Sequence, residues 1–239
     1  MILPRAAGVC DAVTGGQATV GVRCPAHPLA LQLLRACAKV GITGLATPSA
    51  NRFGHVSPTT AAHVRAEFGA DLFILDGGAC AVGIESTIID LTGESPRILR
   101  PGMISETQLT RSLASPFSSD HDNAPRVSGS LAAHYAPTTA LEVVDSAQLA
   151  GRLAALLTNG RRAVLLARTP GAARQGAPAR VLEMPADNLG YAQQLYARLR
   201  EADALALDVI LVEALPSGEA WFALNDRLQR AAYGAGRRA

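Results

Sequence analysis

Residues 83–91, Gly83-Ile84-Glu85-Ser86-Thr87-Ile88-Ile89-Asp90-Leu91, place three polar side chains between a glycine-rich turn and an apolar strand. Asp76-Gly77-Gly78 lies upstream, and Arg97-Ile98-Leu99-Arg100-Pro101-Gly102 downstream reads as a second strand closed by Arg100. A cation at one strand end and hydroxyls at another suit a small anionic ligand, because a guanidinium offers forked donors that match oxyanions. The same glycines also serve hairpin geometry alone. Both readings are open on these residues.

Working outward, alternation along Thr19-Val20-Gly21-Val22-Arg23 puts Thr19, Gly21 and Arg23 on one strand face. Arg23 is then either a solvated edge residue or an anion contact. Residues 28–40 read as a helix whose Leu29, Leu33 and Leu34 form an apolar stripe, and a strand is expected to run into Thr47. The loop Pro48-Ser49-Ala50-Asn51 follows, and Ser57 with Pro58 reads as N-cap and first residue of a helix ending near Gly69. Such a loop offers hydroxyls, a carboxamide and backbone N–H groups to a phosphate, and it serves equally as a turn and a cap. Strands are expected at 72–75, 87–91 and 97–99, with a capping box at Ser105-Glu106-Thr107-Gln108.

From 114 to 137 apolar periodicity gives way to Ser, Pro, Asp, Asn and Gly, the composition of a linker. It divides a first domain, 1–113, from a second, 138–239. There, expected strands at 141–144, 163–167 and 209–212 alternate with helices at 147–157, 189–202 and 219–232, which points to a small parallel α/β domain.

The 22 basic and 20 acidic residues leave a net charge of +2, so no broad positive field marks a polyanion binder, and RNA would need a local patch. Lys39 is the single lysine, and its place at a helix end suits a solvated cation. The densest apolar stretch, 204–215, is broken by Asp208 and Glu213, so it reads as a buried strand and not as a membrane span. The first residues lack the basic stretch and apolar core of a secretory leader, and cytoplasmic residence is expected. Cys10, Cys24, Cys37 and Cys80 have no C-x-x-C spacing; no metal site is expected, and the thiols read as reduced and buried.

T-V-G-V-R at 19–23, P-S-A-N at 48–51 with S-P-T-T at 57–60, D-G-G, G-I-E-S-T-I-I-D-L and R-I-L-R-P-G, in this order, closely resemble the YrdC-like family of threonylcarbamoyl-AMP synthases. His134-Tyr135-Ala136-Pro137 and Leu224-Asn225-Asp226-Arg227-Leu228 resemble its longer, two-domain branch. The resemblance implies an α/β fold: a YrdC-like twisted mixed-sheet domain, then a small Rossmann-like parallel domain. It implies condensation of L-threonine, bicarbonate and ATP to threonylcarbamoyl-AMP and pyrophosphate, which feeds downstream tRNA-modification proteins. By family position Thr19, Ser49, Ser57 and Arg100 would contact ATP, Thr47 through its main chain, while Tyr135 would close over the nucleotide. Arg23 and Ser86 would hold threonine. Ser49 and Asn51 would be catalytic, positioning groups and stabilising charge in adenylyl transfer. Magnesium is expected because it neutralises phosphate charge.

The family's front segment, a T-V-Y-G-L-like strand and a K-x-R motif carrying the lysine and arginine of its Lys-Arg-Ser-Asn set, has no counterpart here. The first domain is therefore expected to be incomplete at its N-terminus, with unpaired sheet edges, exposed apolar surface and little synthesis. Two other functions fit some of these residues. One is a non-catalytic nucleotide- or RNA-binding module using Arg23, Arg52 and Arg100, and the other is a carbamoyl-transfer domain like those of hydrogenase-maturation proteins.

Overall fold

The runs Ala163–Ala167 (β6) and Val209–Glu213 (β8) are buried along their whole length, as expected of strands covered on both faces. They are the two central strands of a parallel sheet, flanked by Ala140–Val144 (β5) and Arg180–Glu183 (β7) in the order β5-β8-β6-β7. The strand period of two sorts their side chains onto separate cores. Ala163, Leu165, Val209 and Leu211 pack with Leu149, Leu153 and Leu156 of helix α5, Leu149–Thr158. Val164, Leu166, Ile210 and Val212 pack instead against α6, Asn188–Ala204, and α7, Glu219–Gly234. The expected alternation is present, with β7 in addition. That strand buries only Leu182, so its edge position leaves little apolar pattern to read.

This computed structural model describes residues 1–120, 122, 124–129, 131–171 and 180–236; linker residues 121, 123 and 130 and the C-terminal 237–239 lie outside the described residues. The chain packs as two compact units that do not follow chain order. Unit 2 joins 50–86 and 101–105 to 128–239, and contains the parallel sheet. Unit 1 joins 1–49, 87–100 and 106–127.

Unit 1 is built on a mixed sheet ordered β2-β1-β3-β4, from Ile2–Pro4 (β1), Thr19–Gly21 (β2), Ile88–Asp90 (β3) and Arg97–Arg100 (β4). β1 runs antiparallel to β2 and parallel to β3, and β3 is antiparallel to β4. Asp90, fully buried, locks the β3–β4 pair: Arg97 Nη2 donates to its Oδ2 at 2.5 Å, and Thr92 gives its N–H and hydroxyl to Oδ1. Burial works against the Asp90 charge, but the Thr92 and Arg97 bonds prevail and hold its carboxyl below the usual range. A one-turn helix, Asp11–Thr14 (α1), precedes β2; α2 spans Pro28–Lys39 and α4 spans Glu106–Leu113.

Several expectations are corrected. Helix α2 forms, but none of its residues is buried. No strand runs into Thr47, nor at 72–75; both stretches lack a paired strand among the described residues, and an apolar run without a ladder partner does not become one. The helix after Ser57, α3, is Ala61–Phe68 and is capped by Thr60, whose hydroxyl accepts from the His63 N–H at 3.2 Å. Ser57 bonds elsewhere. The four cysteines are free, yet Cys10, Cys24 and Cys80 are exposed and Cys37 is partly so, because all four lie in loops or on the unburied α2. No described helix is long and apolar enough to cross a membrane.

Gly83 marks a close approach of backbone to backbone within unit 2. Its φ is +88°, and a Cβ there would stand 2.2 Å from the Ala192 carbonyl oxygen on α6. Gly83→Ala is expected to destabilise unit 2 by about 3 kcal/mol, through clash and left-handed strain together. Urea unfolding measures it; a change under about 0.5 kcal/mol would contradict the contact.

Candidate active site

In unit 2 two of the polar segments singled out by sequence, at Ser57 and at 83–85, meet one ridge of α6. Ala192, Tyr196 and Arg200 recur every four residues, and so share a helix face. Ala192 meets Gly83. The Tyr196 hydroxyl donates to Glu85 Oε2 at 2.8 Å. Arg200 donates to the Val56 carbonyl and, at 3.5 Å, to that of Ser57, and reaches Glu67 at 3.4 Å. The turn before β3 and the segment before α3 are thus both held by one helix.

Helix α7 supplies the counter-charge. The Arg227 side chain is fully buried; its Nε lies 2.9 Å from Glu85 Oε2, its Nη1 2.6 Å from Asp226 and its Nη2 2.9 Å from the Pro101 carbonyl. Ser57 Oγ donates to Glu85 Oε1 at 2.6 Å, so the carboxylate accepts from Ser57, Tyr196 and Arg227 together. Burial pushes the Glu85 carboxyl up, but the Arg227 charge and the Ser57 and Arg227 bonds outweigh it and hold Glu85 below the ordinary carboxylate range. Burial and the adjacent Glu85 charge drive the Tyr196 phenol well above its usual range, so it stays a proton donor. Sequence reasoning used Arg227 only as part of a pattern and missed Tyr196 and Arg200; the four-residue spacing on α6 was the available signal.

Tyr135 is 1% exposed, stacked on Tyr196 at 5.7 Å, with the Arg227 guanidinium 5.0 Å over its ring. Its φ of +59° is uncommon for an aromatic residue and costs about 1–2 kcal/mol. The ring contacts and the Ala136 N–H bond to the Gly54 carbonyl at 2.9 Å hold the segment there. Asn51 is buried, donating to the Arg52 and His55 carbonyls at 2.9 and 3.2 Å. Ser86 is exposed beside Glu85. An open depression of about 190 Å³ lies between Pro58, Thr59 and Thr60 on one side and Asp76, Gly77 and Gly78 on the other.

Unit 1 holds the remaining candidates. Thr19 pairs with Pro4 in β1, whereas Arg100 pairs with Ile88, so the register puts them at opposite ends of the outer strands. Arg23 follows β2 toward the end at which Arg100 lies. Three interstrand steps of about 4.8 Å separate those two edges, roughly 14 Å between backbones, and the two arginines bracket that sheet end. A register slip between Ile88 and Ile89 makes a bulge beside Arg100, a device that re-aims a side chain; Arg100 is buried. Thr47 and Ser49 are exposed and outside any strand.

Residues 1–102 match the Sua5, YciO and YrdC family model described as "Telomere recombination", and residues 102–233 match "Threonylcarbamoyl-AMP synthase, C-terminal domain". The threonylcarbamoyl-AMP synthase of Bacillus subtilis is 33% identical over 244 residues, covering 98% of this chain and 69% of that protein. This chain belongs to the threonylcarbamoyl-AMP synthase family. The family's enzyme from Pyrococcus abyssi is 31% identical, over 97% of this chain and 69% of its own length. The crystal structure of Pyrococcus abyssi Sua5 complexed with L-threonine superposes with a TM-score of 0.84 at 29% identity, over 98% of this chain and 70% of that one. The mixed sheet followed by a parallel sheet is thus the synthase fold, as the resemblance implied.

In this synthase chain, Glu85→Gln tests the buried charge pair. At pH 7 the variant is expected to be about 3 kcal/mol less stable, because the buried Arg227 loses one of its two compensating charges and keeps only Asp226. The depressed Glu85 carboxyl contributes stability above its unfolded pKa, near 4.3, and loses it as pH falls through the lower folded value, so the gap closes in acid. Urea unfolding at pH 7 and at pH 3.5 reads this; a gap independent of pH would contradict it.

Proposed function

We propose that this synthase chain condenses L-threonine, bicarbonate and ATP into threonylcarbamoyl-AMP, releasing pyrophosphate, and so supplies a transferase step of tRNA modification. Family membership over 98% of the chain is the observation that carries the reading. Thr19, Thr47, Ser49, Ser57, Arg100 and Tyr135 are assigned to ATP, Arg23 and Ser86 to threonine, and Ser49 with Asn51 to the adenylyl-transfer step. The threonine amine and bicarbonate give a carbamate with loss of water, and a carbamate oxygen displaces pyrophosphate from the α-phosphorus. The chain's work is orientation and charge stabilisation, for which no covalent enzyme intermediate is needed.

Arg23 suits the threonine carboxylate by its fork, and Arg100 suits phosphate oxygens for the same reason. Contact of Tyr135 with ATP requires movement, since its ring is buried. Magnesium belongs with ATP as part of the substrate; the described residues gather no group of three or more His, Cys, Asp or Glu. We assign the work to a catalytic domain 1–113, a linker 114–137 and a Rossmann-like domain 138–239, in the cytoplasm, with downstream tRNA-modification proteins as partners.

Pyrophosphate release, assayed with threonine, bicarbonate and ATP singly and together, tests the activity. The reading expects release only with all three; the three-substrate dependence is diagnostic, whatever the rate. Nucleotide or RNA binding without release would favour the non-catalytic module. Arg23→Ala is expected to weaken threonine use by about 2 kcal/mol, the order for a charged hydrogen bond, and an unchanged threonine requirement would refute its role.

A further inference from the structure

Ser57 lies in a loop whose hydroxyls look, by sequence, like donors to a phosphate. Its surroundings say otherwise. Glu85 Oε2 already accepts from Tyr196 at 2.8 Å and Arg227 Nε at 2.9 Å, and Glu85 Oε1 lies 2.6 Å from Ser57 Oγ. A carboxylate has no proton to give, and a serine hydroxyl has one. The Ser57 proton is therefore committed to Glu85 by a charge-assisted bond, and what the hydroxyl of this half-buried residue has left to offer another partner is its oxygen lone pairs.

We propose that Ser57 meets the nucleotide as an acceptor only, and reads an O–H or N–H donor on the nucleoside half, a ribose hydroxyl or the adenine amine, in place of a phosphate oxygen. Two lone-pair-bearing oxygens facing each other across a hydrogen-bond distance repel unless one carries a proton, so phosphate at this position would have to break the bond to Glu85. Arg227 and Tyr196 are then positioning residues. They keep Glu85 ionised and oriented, and through it fix the polarity of Ser57. This rests on the reading that Ser57 contacts ATP, and extends it to which part of ATP is recognised.

Calorimetric titration of the purified chain with ATP, 2′,3′-dideoxy-ATP, purine riboside triphosphate and inorganic tripolyphosphate, for wild type and Ser57→Ala, tests the assignment. Ser57→Ala is expected to weaken ATP about tenfold and tripolyphosphate less than twofold. One of the two nucleoside analogues should bind wild type about tenfold more weakly than ATP and be indifferent to the substitution; that analogue identifies the donor. Losses from Glu85→Gln and Ser57→Ala on ATP should not add. A Ser57→Ala loss equal for all four ligands, or greatest for tripolyphosphate, would overturn the proposal. Wild type that binds tripolyphosphate but not ATP any more tightly would overturn the nucleotide reading beneath it.

Discussion

A buried guanidinium that must be neutralised organises unit 2. Arg227 has no exposed side-chain surface, and isolating such a charge from water costs several kcal/mol unless a counter-ion and hydrogen bonds replace the solvent. Asp226, its neighbour in the chain, supplies one counter-ion, and Glu85, 142 positions away in sequence, supplies the other. Satisfying Arg227 therefore requires the turn at 83–86 to be seated against the C-terminal helices. With Glu85 come Ser57 and Tyr196, and with the Arg227 guanidinium comes the Tyr135 ring beneath it. Of the polar segments that mark the family, those at 57 and 83–86 are thus held by the part of the chain that looks, in sequence, like a separate module.

The parallel sheet was legible because its signals are local and repeated. Strands β6 and β8 are continuous apolar runs, and the helices between them carry stripes whose period needs no long-range information. The expected strands near Thr47 and at 72–75 had comparable apolar content but have no paired strand among the described residues, and partnership is not written in a segment's own composition. Likewise Ser57 followed by Pro58 has the local form of a helix start, yet its hydroxyl goes to a distant carboxylate and Thr60 takes the capping role. Local propensity lost to a charged acceptor.

Of the candidate site, the sequence carried the residue types and their order; the supporting contacts came from the fold. Ser86 and Arg100 were recognisable beside strand ends, and the glycines about them as turn residues. Arg227, Tyr196 and Arg200 were hidden because each lies on a helix whose other face is an ordinary core, where an aromatic or an arginine stem attracts no notice. The small residue at Ala192, four before Tyr196, is what lets Gly83 lie directly on the helix backbone.

If the polar segments and the C-terminal helices form one cooperative body, their amides open together. Native-state hydrogen exchange compares the Ala136 N–H, bonded to the Gly54 carbonyl, and the Cys80 N–H, bonded to the Thr59 carbonyl, with the amides inside α6 and α7. The account predicts that Ala136 exchanges with the same opening free energy and denaturant dependence as α7, and that Arg227→Gln lowers both equally. Ala136 exchanging by a small local opening while α7 keeps its full protection would contradict it.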